Sequence, residues 1–198
     1  MKTTTKISAA ATSAAMALAL GLGMTSFGAQ AAGNMAGQLN AQMVLQAGCY
    51  ISGAANAGSS GVNLGTLDFG SQPSTFTGVL TANATGGVGG AGATQIVCSP
   101  DVTALTVSVS GGNNAGQGGS IGTGSRAMKL GSSYLPYEVY SDAALTTAYP
   151  ANATALGVTL PGTGAAVTLP VYGRINKTST NGMTSGTYVD TLQVTLAW

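Results

Sequence analysis

Residues 34–49, NMAGQLNAQMVLQAGC, alternate between small or apolar side chains and mostly polar amides. This alternation predicts a β-strand with one buried face. The apolar series is Met35, Gly37, Leu39, Ala41, Met43, Leu45, Ala47 and Cys49. A strand of sixteen residues would span roughly 50 Å, whereas strands usually have five or six residues. Either the first half is therefore a disordered tail, or two different bodies cover the two halves.

The first 31 residues predict a secretory signal peptide. Lys2 and Lys6 form a basic start, an apolar run follows, and residues 29–31 read AQA, a small-residue cleavage site. The alternative, a membrane anchor, is disfavoured because the apolar run is short and interrupted by polar residues and glycine. We expect the exported chain to begin at Ala32.

Charge is sparse in the predicted mature chain, where four Lys or Arg residues face five Asp or Glu residues. A net charge of −1 attracts neither nucleic acid nor an anionic membrane surface. Few charges suit a subunit packed in an assembly better than a free monomer, because charge keeps monomers apart.

The exported chain has two cysteines, Cys49 and Cys98, and a disulfide between them is the default expectation. The chain has no histidine and no CxxC motif, which argues against a metal or redox site. With the cysteines paired, the usual nucleophile and base pairs are missing, and the few carboxylates form no local signature. The sequence therefore predicts a protein that is not an enzyme and binds no cofactor.

Short alternating segments, separated by Gly- and Pro-rich turns, follow Cys49 along the rest of the chain. Residues 53–61 predict a flexible loop, and residues 62–70 predict a strand. Residues 105–110 form the clearest alternating segment, and residues 126–140 indicate a hairpin around Gly131. Residues 87–92 fit the dinucleotide motif GxGxxG, but the sequence after them has a β pattern where that motif requires a helix. The pattern favours an all-β sandwich.

Residues 187–198 alternate to the last residue of the sequence, with Leu192, Val194, Leu196 and Trp198 on one face. Asp190 is in phase with them, so we expect the strand to begin outside the core or to bulge there. The sequence thus predicts a surplus strand at its start and a missing strand at its end. Exchange between molecules, with the N-terminal segment completing the next copy's sandwich, reconciles the two.

Five further pieces of the sequence are informative together: GTLDFG at 65–70, Arg126 with Met128, LPYEVYSD at 135–142, LPVYGRI at 169–175 and GTYVD at 186–190. In this order they resemble an archaic chaperone–usher pilin with a spore coat protein U (SCPU) domain, most closely the major subunit of Csu-type pili. The resemblance implies an incomplete immunoglobulin-like β-sandwich that lacks its last strand and is completed by donor-strand complementation. It also implies an extracellular cell-surface pilus (fimbrium), exported through the periplasm, for attachment and biofilm formation.

The implied partners are other copies of the chain in a head-to-tail homopolymer, a periplasmic chaperone, an outer-membrane usher, and adaptor and tip-adhesin subunits. We expect a signal peptide at 1–31, a donor-strand extension at 32–43 and the SCPU domain at 44–198. The predicted donor residues are Met35, Gly37, Leu39, Ala41 and Met43. The predicted acceptor groove consists of Leu45, Leu192, Val194, Leu196 and Trp198. Residues 44–49 are expected to remain in their own domain as its first strand.

A monomeric secreted β-sandwich that acts as a binding or coat protein is the alternative. It would share the signal peptide, the sandwich and the disulfide. It would need a complete sheet, so residues 34–43 would fold back onto their own domain or hang free. Polymerisation therefore distinguishes the two hypotheses.

Overall fold

The computed structural model of the protein describes residues 34–54 and 60–198. The chain divides into two units after Met43. Residues 34–43 form no helix or strand, and the side chains of Met35, Leu39 and Met43 are 103%, 95% and 79% exposed. The predicted signal peptide lies outside the described residues.

The second unit, which begins at Val44, is built from twelve antiparallel β-strands, and no helix occurs in its described part. The strands are β1 (Cys49–Ile51), β2 (Thr66–Leu67), β3 (Gly78–Thr85), β4 (Gln95–Cys98), β5 (Leu105–Val109), β6 (Gly122–Thr123), β7 (Arg126–Leu130), β8 (Ser133–Tyr140), β9 (Leu156–Val158), β10 (Val167–Thr168), β11 (Tyr172–Lys177) and β12 (Val194–Ala197). The predicted all-β, immunoglobulin-like sandwich class is thus confirmed.

Three sheets arrange these strands around one core. The orders are β1-β4-β10, β2-β3-β11-β8-β7 with β6 also on β11, and β12-β5-β9. The first and third sheets join strands that are far apart in sequence, so local sequence patterns do not reveal which strands pair in them. Strands β1 and β12 each lie at the end of their sheet order.

The alternating segments bury one face, as their patterns predict. In β5, Leu105, Val107 and Val109 are fully buried, while the residues between them are partly exposed. The β7–β8 hairpin turns at Gly131, whose φ of 56° lies in the left-handed region that glycine adopts without steric cost.

Two of the segments that carry the family resemblance pack on each other. The ring of Phe69, from GTLDFG, lies over Gly173, from LPVYGRI, where a Cβ atom would come within 2.7 Å of the ring Cζ. Phe69 also meets Tyr137 edge to face, with 6.2 Å between ring centroids. Glycine at position 173 therefore makes room for the aromatic core.

The disulfide between Cys49 and Cys98 is confirmed, and it links β1 to β4. The GxGxxG segment at 87–92 is a turn that leads into β4, as the β pattern after it indicates. Gly86 N–H donates to the Gly92 carbonyl and closes this turn. The predicted loop at 53–61 lies partly outside the described residues.

Three predicted strands are shorter than their sequence patterns. Residues 34–48 form no strand, and β1 begins only at Cys49. Residues 187–198 form a strand only at Val194–Ala197, and residues 62–70 only at Thr66–Leu67. The expected first strand at 44–49 is corrected accordingly. Alternation specifies which face a strand would bury, but a strand also needs a neighbour along its length. In the described chain, the remaining residues of these segments make isolated pairings, such as the bridge between Val189 and Lys129, rather than continuous ladders.

Candidate functional site

An open groove lies between the edge strands β1 and β12. Its volume is about 1260 Å³, and both Cys49–Ile51 and Val194–Leu196 line it. In the described residues, β1 pairs with β4 and β12 pairs with β5, and neither has a second strand neighbour. Edge strands present unpaired backbone N–H and C=O groups, so the groove is bounded by two templates for strand pairing.

The floor of the groove is apolar and belongs to the core. It is lined by Ile51, Leu67, Phe69, Ala84, Ile96 and Val171. Ile51, Ile96 and Val171 are buried, and Leu67 and Phe69 are partly buried against the core. An inserted strand that presents apolar side chains would therefore bury them against a preformed surface.

Polar groups gather around Asp190, which also lines the groove. The Tyr137 hydroxyl donates to Asp190 Oδ2 over 2.8 Å, and Asn113 N–H donates to Oδ1 over 2.9 Å. Burial, reinforced by the hydrogen bond to Asp190, raises the pKa of Tyr137 above its ordinary value. The phenol therefore remains a neutral donor at physiological pH.

A buried cation, Arg126, stabilises the end of β5 next to this polar cluster. Arg126 is fully buried and pairs with Glu138 over 2.8 Å. Its guanidinium also donates to the carbonyls of Val109 and Ser110, at the end of β5. Burial lowers the pKa of Arg126, and the negative charge of Glu138 opposes that shift. Because the ordinary pKa of arginine lies far above neutrality, Arg126 stays protonated at neutral pH. Ser110 in turn binds the main chain of Gln193 through its N–H and its hydroxyl oxygen.

The structure brings together four of the five residues assigned to the acceptor groove. Leu192, Val194, Leu196 and Trp198 all line it. Leu45 does not line the groove, and its side chain is 81% exposed. The reason is that the first strand begins four residues later, at Cys49. That the groove accepts a strand remains a prediction, as does the donor role of residues 35–43.

Sequence reasoning missed the groove floor and the polar cluster. The floor residues come from β1, from β2 and the segment after it, from β3 and β4, and from the residue before β11, so only the tertiary structure assembles them. One signal for the cluster was present in the sequence. Asp190 is in phase with Leu192 and Val194, and an acid on an apolar face requires a polar partner, which Tyr137 supplies.

The fold and the groove define the class of the protein: an immunoglobulin-like β-sandwich with an open groove between two edge strands. The chain belongs to the Spore Coat Protein U domain family, which matches residues 35–195. This is the family that its sequence segments resemble. Membership in a coat-protein domain family agrees with the prediction of a structural, non-enzymatic protein.

Among solved structures, the chain is similar to one from Acinetobacter baumannii. That structure is the CsuC–CsuE chaperone–tip adhesion subunit pre-assembly complex from archaic chaperone–usher Csu pili. The identity is 20% and the TM-score 0.41, over 78% of this chain and 40% of the matched chain. The protein thus spans less than half of the chain it matches. No curated protein matches its sequence.

Within residues 34–54 and 60–198, no three His, Cys, Asp or Glu side chains lie close enough together to hold a metal ion. The same ranges contain no helix that is long and apolar enough to cross a membrane.

Proposed function

We propose that this protein is the major structural subunit of a chaperone–usher pilus, in which residues 35–43 of one copy insert into the groove of the next. The observation that carries the proposal is the groove itself, a space of about 1260 Å³ with an apolar floor between two edge strands. A further β-strand satisfies both edges and covers the floor, which is the geometry of strand addition.

The exposed N-terminal segment has the chemistry that the groove requires. Met35, Leu39 and Met43 are largely exposed, and in an extended conformation Gly37 and Ala41 would lie between them on the same face. Burying each large apolar side chain contributes about 1.5–3 kcal/mol. Backbone hydrogen bonds to the two edges add about 0.5–1.5 kcal/mol each. A joint of this size holds without any covalent link between copies.

Head-to-tail insertion leads to an open fibre. The donor on one copy and the groove on the next are different surfaces, so each added copy exposes a new site of the same kind. The low content of charged residues, 6% of the sequence, fits a chain that spends its functional life packed against neighbours.

The partners follow from this mechanism and from the resemblance of the chain to archaic pilins. A periplasmic chaperone would fill the groove before assembly, because an open apolar groove invites aggregation. An outer-membrane usher would exchange that strand for the N-terminal segment of the next copy, and adaptor and tip-adhesin subunits would complete the fibre. The assembled surface fibre would serve attachment and biofilm formation.

Matched substitutions on the two faces of the donor segment test the proposal. Leu39→Arg places a charge among the residues assigned to the groove, whereas Gln38→Arg places the same charge on the opposite face. We expect Leu39→Arg to abolish surface fibres in negative-stain microscopy and the ladder on unheated gels. We expect Gln38→Arg to retain both.

Deleting residues 32–43 provides a second measurement. We expect the chaperone to capture the shortened subunit through its intact groove, but shortened subunits should not join one another because none carries a donor segment. Fibres from the shortened subunit, or equal assembly by the two Arg variants, would show that this segment is not the donor. A soluble monomer as the only native form of the full chain would support the alternative, a monomeric binding or coat protein.

A further inference from the structure

Asp190 holds a defined place at the groove rather than a solvated one. Two hydrogen bonds fix its carboxylate, from the Tyr137 hydroxyl and from Asn113 N–H. Gly112 lies so close that a Cβ atom at this position would collide with the carboxylate. The side chain is thus held on three sides within the groove lining.

The main chain around Asp190 passes from one sheet to another. Val189 bridges to Lys129 of β7 through two backbone hydrogen bonds of 2.9 and 3.1 Å. Three residues after Asp190, Gln193 already pairs with Ser110 at the end of β5. The carboxylate is therefore anchored by main chain on both sides, and it has little freedom to move away from an incoming side chain.

We propose that Asp190 is a register-determining residue. It excludes a large apolar side chain from its level, meaning the position of the inserted segment that lies directly opposite it. A small residue of the segment therefore occupies that level, and Leu39 lies beside Leu192. This inference rests on the proposed function, since it assumes that residues 35–43 of a second copy enter the groove. Packing methionine or leucine on a fixed carboxylate would remove water from the charge without a new hydrogen bond, which is costly. Glycine or alanine leaves room for water or a backbone N–H.

The register follows from the order of large and small residues in the segment. The small residues are Gly37 and Ala41, and Leu39 lies two positions from each. In a parallel insertion, Gly37 lies at the level of Asp190, and Leu39 and Met43 point toward the floor beyond it. In an antiparallel insertion, Ala41 lies there, and Leu39 and Met35 point toward the floor. In both placements two large side chains lie beyond Asp190, and Leu39 is level with Leu192. Exchanging Gly37 and Ala41 at Asp190 would leave only one large side chain beyond it, so the groove favours the first two placements.

Disulfide trapping in the assembled full-length protein tests this register. The variants Leu39→Cys/Leu192→Cys and Leu39→Cys/Val194→Cys differ by one in-phase level along the same wall. Directly opposed residues meet the distance that a disulfide needs, and residues shifted by two positions do not. We expect a covalent ladder on non-reducing gels that is at least about fivefold stronger for the Leu192 pair.

Substitution of Asp190 tests whether the carboxylate sets the register. Adding Asp190→Leu should weaken the Leu192 preference, with the Val194 pair gaining cross-links, while the isosteric Asp190→Asn should retain it. A ladder that favours Val194, or a preference unchanged by Asp190→Leu, overturns the register inference while leaving insertion intact. Fibres that form without a cross-link at either level overturn the register, whereas the proposed function is decided separately by whether fibres still form after residues 32–43 are deleted.

Substitutions within the donor segment keep the inference testable if the groove variants fold poorly. Gly37→Leu and Ala41→Leu leave the body of the subunit unchanged, and only one of them meets Asp190. We expect one of the two to reduce fibre yield at least about tenfold, with recovery when Asp190→Ala is added to make room. Equal tolerance of both substitutions, or no recovery, contradicts the inference.

Discussion

Arg126 illustrates how one residue joins distant parts of the chain. Its buried guanidinium donates to carbonyls at the end of β5, to the carbonyls of Tyr149 and Pro150, and to Glu138. Such a planar, five-donor group cannot be replaced by the single ammonium of lysine. Sequence reasoning included Arg126 among the residues that resemble the family but did not assign it a role.

Replacing Arg126 is expected to destabilise the fold strongly. Arg126→Met takes a donor from several carbonyls and removes the cation that pairs with Glu138, and we expect a loss of about 3–5 kcal/mol in the free energy of unfolding. Denaturant titration measures it. The control is Arg174→Met, which removes only a cation–π contact with Tyr140 and should cost about 1 kcal/mol or less. Equal losses would contradict the role of the buried network.

We expect Tyr149 to make the stability of the fold fall at alkaline pH. Burial, with a smaller contribution from Tyr172, raises the pKa of Tyr149 to about 12, above its unfolded value of about 10. A raised pKa contributes stability that is complete below about pH 10 and is lost as the pH rises through about 12. We therefore expect the denaturation midpoint to fall across that window.

The variant Tyr149→Phe separates this titration from other alkaline effects. It loses the hydrogen bond to the Pro170 carbonyl, about 1 kcal/mol at neutral pH. Its midpoint should then decline less than that of the unsubstituted protein between pH 10 and pH 12. Parallel declines would exclude Tyr149 as a source of the pH dependence.

At the scale of elements, strands form where the sequence supplies an apolar face and the fold supplies a neighbouring strand to pair with. Strand β11 has a partner on each side, β3 and β8, and extends over six residues, whereas β1 pairs on one side and extends over three. The alternating pattern continues well before β1 and on both sides of β12. The shortness of these two edge strands coincides with the open groove between them.

The contact between Phe69 and Gly173 gives an element-scale prediction. Gly173→Ala places a methyl group against the Phe69 ring and forces the aromatic core to shift, at a cost of about 1–3 kcal/mol. Gly157→Ala in β9 is the matched control, because a Cβ atom there would meet nothing within 4 Å. Thermal unfolding of both variants measures the difference, and similar melting temperatures would refute it.

The disulfide holds a wall of the groove in place. Strand β1 has three residues, and its ladder to β4 includes the paired Cys49 and Cys98. The double variant Cys49→Ala/Cys98→Ala should lose roughly 4 kcal/mol on the chain-entropy account and should also assemble poorly. Chemical denaturation and fibre yield are the two measurements. Full assembly by the double variant would show that β1 stays in place without the bond.

At the scale of the whole molecule, the proposed donor segment and groove predict that an engineered chain carrying both in the right order folds as a stable monomer. A copy of residues 34–44 added after Trp198 through a short flexible linker is expected to fill the groove within one chain. The product should be monomeric in solution, with a higher melting temperature than the unsubstituted subunit, because the groove is no longer open. The same graft with Arg in place of the leucine that corresponds to Leu39 is the control. It should leave the groove open, and we expect it to self-associate like the unsubstituted subunit.

The all-β class, the β7–β8 hairpin and the pairing of the two cysteines were predictable from the sequence, because alternation, turn residues and export are local or compositional signals. The apolar face of residues 192–198 was predictable for the same reason. Leu192, Val194, Leu196 and Trp198 line the groove, and their role in accepting a strand stays a prediction.

The sequence by itself determined which residues present an apolar face, and so the fold class and the family. Only the tertiary structure decided that β1 and β12 border one groove, that Leu45 lies outside it, and that Asp190 meets Tyr137 within it. The physical reason is the length of the connections: β1 pairs with β4 and β12 with β5, across 45 or more residues. Pairing over such separations depends on the packing of the whole core, which no local pattern encodes.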